Sequence, residues 1–150
     1  MRELLFRGKR LDTGEWIERM TLVQVTNGVL LSANVGAPIH KVMPDYVDDA
    51  DENIYGFAST EPLFVPVDPE TVGQYTGLKD KNGTKIFEGD LVYAYSQDVD
   101  DEDGAGIIEW NEAEMCYIVS FKKFSYMLHD VASIEVIGNI HDNRELLEVK

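Results

Sequence analysis

Apolar residues recur along the chain in short runs, each closed within a few positions by glycine, proline, asparagine or aspartate. Period-two alternation over such short runs is the pattern of half-buried strands, and no stretch sustains the 3.6-residue period of a helix. Leu4 to Arg10 and Trp16 to Met20 flank a loop in which Gly14 can take the left-handed conformation, which predicts a hairpin. Thr21 to Val25 and Val29 to Ala33 flank Asn27-Gly28, the strongest short hairpin signal. Val35 to Asn53 loses periodicity, gathers acids and is interrupted by Pro38 and Pro44, so it reads as a long surface loop. Ile54 to Ala58 and Leu63 to Val65 are strand candidates. Asp68-Pro69-Glu70-Thr71-Val72-Gly73 has an N-cap residue, a proline at the first helical position and a closing glycine, which predicts a short helix.

The second half repeats the style. Gln74 to Leu78 and Lys85 to Phe87 flank Asp80-Lys81-Asn82-Gly83, a hairpin connection with a bulge. Asp90 to Tyr95, Gly106 to Trp110, Met115 to Phe121, Phe124 to Leu128 and Ser133 to Ile140 follow as strands, and Asp142 to Leu147 as one closing helical turn. The expected class is mostly β, built as small curled antiparallel barrels. The cadence of Glu88-Gly89-Asp90-Leu91-Val92, a loop, then Gly106-Ile107-Ile108-Glu109-Trp110 gives the second half an SH3-like look. Trp110 and Ile137 are placed in the core of that second barrel, with Ile108, Val119 and Phe121 as same-face partners. The organisation expected is one domain over 1–150, with an N-terminal hairpin region at 1–66 and a small-barrel region at about 74–147.

Length and composition narrow the function classes. A chain of 150 residues can bury one compact core. Apolar stretches such as Val29-Leu30-Leu31 are far too short to span a bilayer, and the N-terminus has no apolar run of the secretory kind. The single cysteine, Cys116, can form no intrachain disulfide and no cysteine-based metal site. It stands in an apolar strand, where a thiol acts as a small buried hydrophobe.

Charge is the abnormal quantity. Thirteen basic and 28 acidic residues give a net charge of −15. So negative a surface repels nucleic-acid phosphates and anionic lipid. The acids concentrate in two loops, Asp45 to Glu52 and Asp98 to Asp103. Read as a calcium loop with Asp98 first, the second run puts Asp103 where the turn needs glycine, and no helices flank it, so it is a solvated hairpin tip. His40, His129 and His141 lack ligand spacing. Glu88 and Asp90 are turn-formers and edge charges around Gly89. No nucleophile-elbow, phosphate-loop or dinucleotide motif occurs. No catalytic residue, metal ligand or cofactor is assigned. The basic clusters with nearby aromatics are Arg7, Lys9 and Arg10 beside Phe6 and Trp16, and Lys79, Lys81 and Lys85 beside Tyr75 and Phe87. Those six are the candidate contacts of one alternative reading, a small-barrel nucleic-acid binder; the other alternative is an enzyme with an unfamiliar site.

The run from Gln74 to Val92, with Tyr75-Thr76-Gly77-Leu78-Lys79-Asp80 and Phe87-Glu88-Gly89-Asp90 at its heart, closely resembles the signature of the YopX protein family of phages and prophages. Val136-Ile137-Gly138-Asn139-Ile140-His141-Asp142 resembles that family's C-terminal signature, and Phe6-Arg7-Gly8-Lys9-Arg10 with Gly14-Glu15-Trp16 its N-terminal one. Arg144 departs from the proline common there. The resemblance implies a mostly β fold, a bacterial cytoplasmic setting and no established activity. Gly77, Gly83, Gly89 and Gly138 fall where a tight sheet must turn or bulge, and Asp80, Asn82 and Asn139 where turns are capped. The reading that follows is a non-enzymatic protein acting through a protein partner or a second copy of itself, with nucleic acid and membrane not expected.

Overall fold

The computed structural model describes residues 3–26, 28–32, 64–95 and 104–148. Among the described residues, strands make up 56% and the helical structure is short 3-10 turns, so the mostly β expectation holds. The strands are β1 (Phe6–Lys9), β2 (Trp16–Arg19), β3 (Thr21–Val25), β4 (Gly28–Ser32), β5 (Phe64–Val67), β6 (Gly73–Lys79), β7 (Lys85–Phe87), β8 (Asp90–Tyr95), β9 (Gly106–Asn111), β10 (Cys116–Ser120), β11 (Ser125–Met127) and β12 (Ser133–Asn139). The strand expected at Ile54 to Ala58, the loop Val35 to Asn53 and the acidic run Asp98 to Asp103 lie outside the described residues. Contacts divide the chain into two compact units, Leu5–Val72 and Gly73–Lys150 with Met1–Leu4.

In the first unit β1 and β2 form the expected hairpin. Gly14 has φ 72° and its amide closes the loop on the Arg10 carbonyl at 2.9 Å. β3, β4 and β5 form an antiparallel sheet in that order. Val25 pairs with Gly28, so Gly28 belongs to the strand rather than to the loop. Pro66 lies inside β5, one residue past the strand end expected at Val65. It survives there because this position offers only its carbonyl, which accepts from the Leu11 amide at 3.1 Å. The short helix is a 3-10 turn, Pro69–Thr71, capped by Asp68, whose carboxylate accepts from the Glu70 amide. Gly73 does not stop it. Gly73 opens β6, where a Cβ would stand 2.6 Å from the Glu88 carbonyl oxygen.

In the second unit β6 and β7 pair with a register shift between Tyr75 and Lys79, and Gly77 at φ 89° supplies the bulge. β8 to β12 form a five-stranded antiparallel sheet in the order β11-β10-β9-β8-β12. The sheets are not closed into a barrel, which corrects the curled-barrel expectation. The sheet ends at β11 on one side and β12 on the other, and the register shows no pairing between those two strands among the described residues. One face carries the core: Ile86, Val92, Ala94, Ile108, Tyr117, Val119, Phe121, Leu128 and Ile134.

The motif residues build this framework. The Asp80 carboxylate accepts from the amides of Asn82 and Thr84 at 2.8 and 2.9 Å and, through its other oxygen, from Val136 at 3.0 Å. It thereby ties the β6–β7 hairpin to β12. Asp90 is buried, not an edge charge: it starts a central strand and accepts from the Phe87 amide at 2.8 Å. Asn139 accepts from the amides of His141 and Asp142. At Gly138 a Cβ would meet the Asn143 side chain at 2.5 Å. The closing turn is a 3-10 segment, Arg144–Leu147, formed without the proline common in the family.

Candidate functional site

Strand parity places Trp110 on the same face as Ile108, opposite Tyr117 on β10. Ile108 is fully buried, but Trp110 is 43% exposed. The expectation that Trp110 lies in the core is therefore corrected. Its side chain faces the core side, but β9 runs past the point where an opposing layer covers it. Ile137 is likewise only partly buried, beside the register shift between Val136 and Gly138.

Trp110 is held in place from one side. Its ring meets Tyr117 edge-on, with centroids 5.0 Å apart and planes at 72°, and the Tyr117 hydroxyl donates to the Glu88 carboxylate at 3.1 Å. The indole forms one wall of an open groove of about 320 Å³, with Leu78, Met115, Leu128 and His129 among its other walls. A second depression of about 350 Å³ adjoins it across Leu78, Leu128 and His129 and carries Lys79 and Lys81 at its rim.

Two further side chains on this surface are apolar and exposed, Leu78 at 43% and Met115 at 72%. Met115 has φ 53°, the non-glycine residue in the left-handed region among those described. It closes the four-residue connection between β9 and β10, where the Glu114 amide donates to the Asn111 side chain at 3.0 Å. That backbone conformation suits glycine or asparagine and costs a residue such as methionine about 1–2 kcal/mol. A strained conformation that projects a flexible hydrophobe beside an exposed tryptophan is a feature of binding surfaces.

Carboxylates neighbour residues that line the groove. Glu112 and Glu114 are exposed at the hairpin tip, Glu88 is bonded to Tyr117, and Asp130 stands 3.5 Å from His129. Among the described residues no three His, Cys, Asp or Glu side chains gather to hold a metal ion. His129 and His141 are separate surface residues, and Cys116 is a half-buried free thiol.

The six basic residues of the nucleic-acid alternative fall three in each unit. In the first, Arg10 makes a two-bond ion pair with Asp12, at 2.7 and 2.8 Å. The Arg7 guanidinium and the Lys9 ammonium lie 4.8 and 5.5 Å from the centre of the Trp16 ring. In the second, Lys81 pairs with Glu135 at 2.7 Å and sits 4.6 Å over Tyr95. The Glu135 carboxylate beside it raises the Lys81 pKa, and Lys81 in turn holds the Glu135 carboxyl below its ordinary value. Lys85 stands 3.6 Å from Glu3, and Lys79 is exposed opposite it in the β6–β7 register. Sequence reasoning reached these basic residues and missed the groove. The signal that could have found it was a tryptophan followed by the charged turn Asn111-Glu112-Ala113-Glu114, where a strand is leaving its core.

The fold defined by these sheets is shared with a solved structure, protein EF1440 from Enterococcus faecalis. The two are 23% identical with a TM-score of 0.54, and the match covers 96% of this chain and 97% of that one. The YopX protein family matches residues 5–148, and the chain belongs to that family. No curated protein matches it.

Proposed function

We propose that the protein is a phage- or prophage-derived, non-enzymatic module that works in the bacterial cytoplasm by docking a protein partner in the Trp110 groove. The observation that carries the reading is the grouping of Trp110, Leu78 and Met115 as exposed apolar side chains around one groove. A soluble protein gains nothing in stability from projecting a strained methionine beside a tryptophan, whereas aromatic anchors and methionine are the residues interfaces favour. No helix among the described residues is long and apolar enough to cross a membrane, which fits the same setting. The chain is taken to act as one YopX-like domain.

A partner is favoured over a second copy because two copies each carrying −15 repel one another. It is favoured over nucleic acid because Arg10, Lys81 and Lys85 already have carboxylate partners. The test is affinity capture from the bacterial host with the tagged parent and the Trp110→Ala variant, compared at equal folded fraction. A partner retained by the parent and lost by the variant is the expected result. Identical capture by both chains contradicts the proposal.

A further inference from the structure

Resting on the docking role proposed for the groove, we infer that its occupant is a basic segment anchored by one bulky apolar side chain. The argument is from charge and volume. A groove of about 320 Å³ is at the lower end of ligand pockets and takes one large side chain. Leu78, Met115 and Trp110 give its lining exposed apolar contact surface.

The surroundings set the flanking chemistry. Glu112 and Glu114 are exposed on the turn that ends in Met115, Asp130 is exposed 3.5 Å from His129, and Glu88 accepts from the Tyr117 hydroxyl. Met115, His129 and Tyr117 all line the groove. Glu109 neighbours Trp110 in sequence but has the opposite strand parity, so it is not counted. At the far end the ammonium groups are Lys79 and Lys81, and Lys81 is committed to Glu135. Carboxylates at the rim of an apolar cleft steer cationic flanks toward it and set the salt dependence of association. An acidic segment would meet like charge at Glu112, Glu114 and Asp130, and a neutral apolar one would leave those carboxylates unused.

The test is a displayed library of random peptides of about 12 residues, panned on the full chain at low salt and counter-screened on three variants. Trp110→Ala and Met115→Gly remove the anchor surface, and Met115→Gly spares the core if Trp110→Ala folds poorly. Glu112→Lys combined with Glu114→Lys reverses the rim. The expected outcome is enrichment of peptides that place Lys or Arg within a few positions of one aromatic or branched apolar residue. Their affinity should fall about tenfold on rim reversal and weaken with salt. Enriched peptides that need Trp110 or Met115 but show no basic bias overturn this inference and leave the docking role standing. Peptides indifferent to all three variants, or no enrichment at all, overturn both.

Discussion

Trp110 stacks edge-on against Tyr117 at 5.0 Å, yet one of the pair is buried and the other is 43% exposed. Tyr117 belongs to the core, and Trp110 stands where that core ends. The stability of the two positions should differ accordingly. Trp110→Ala removes an edge-to-face contact and about half the burial of a tryptophan, so it should cost about 1–2 kcal/mol. Ile108→Ala, two residues earlier on the same face and fully buried, should cost about 2–5 kcal/mol. Urea unfolding of the two variants decides the matter, and equal losses would return Trp110 to the core.

Met115→Gly should stabilise the fold. Relief of the left-handed backbone is worth about 1–2 kcal/mol, against about 0.5–1 kcal/mol for the greater freedom of glycine in the unfolded chain. The net expected gain is about 0.5–1 kcal/mol, read as a higher urea midpoint at unchanged slope. If the same variant binds partner more weakly, stability and binding trade against each other at that residue. A loss of stability would mean that Met115 makes packing contacts that outweigh its strain.

Asp80 predicts a pH dependence. Burial alone would raise its pKa, but the amide donors of Val136, Thr84 and Asn82 together outweigh it and hold the carboxyl below its ordinary 3.8. Because the folded pKa is the lower one, the ionised carboxylate contributes stability above about pH 4, and that contribution is lost as pH falls through the folded value. Asp80→Asn keeps one acceptor and turns an amide toward another amide, so it should cost about 2–3 kcal/mol at neutral pH. The gap between parent and variant should narrow below about pH 4. A gap that stays constant from neutral pH down to acid would show that the charge on Asp80 plays no part.

Nucleic acid should not bind. Fluorescence anisotropy with single- and double-stranded oligonucleotides at about 50 mM salt should show no saturable change, under conditions where non-specific binders reach micromolar affinity. Micromolar binding that falls steeply with salt and vanishes when Lys79, Lys81 and Lys85 become Glu would establish the alternative role.

Much of the fold was legible because turns in this chain are chemically explicit. Gly14 and Gly83 adopt positive φ at 72° and 83°, and hairpins sit at both. Asp68 caps the turn its sequence announced. The bulge at Gly77 could be read from a glycine inside a strand pattern. Closure was not legible, since it depends on whether the end strands β11 and β12 meet, and no local residue pattern encodes that long-range pairing. The groove was half legible. Alternation through Ile108-Glu109-Trp110 gives the face Trp110 occupies, but the extent of the layer opposite is set by distant residues such as Leu78 and Leu128. Asp90 shows the same limit: its turn could be foreseen, and its burial in a central strand could not.

Site-specific photocrosslinking tests the docking role most directly. A benzophenone amino acid replaces Met115, at the groove, or Tyr93, an exposed aromatic on β8, and each chain is irradiated in the bacterial host. The groove predicts one discrete adduct from position 115, suppressed when Trp110→Ala is added, and none of that mass from position 93. Adducts of equal yield from both positions, or an adduct at 115 that persists without Trp110, would contradict it.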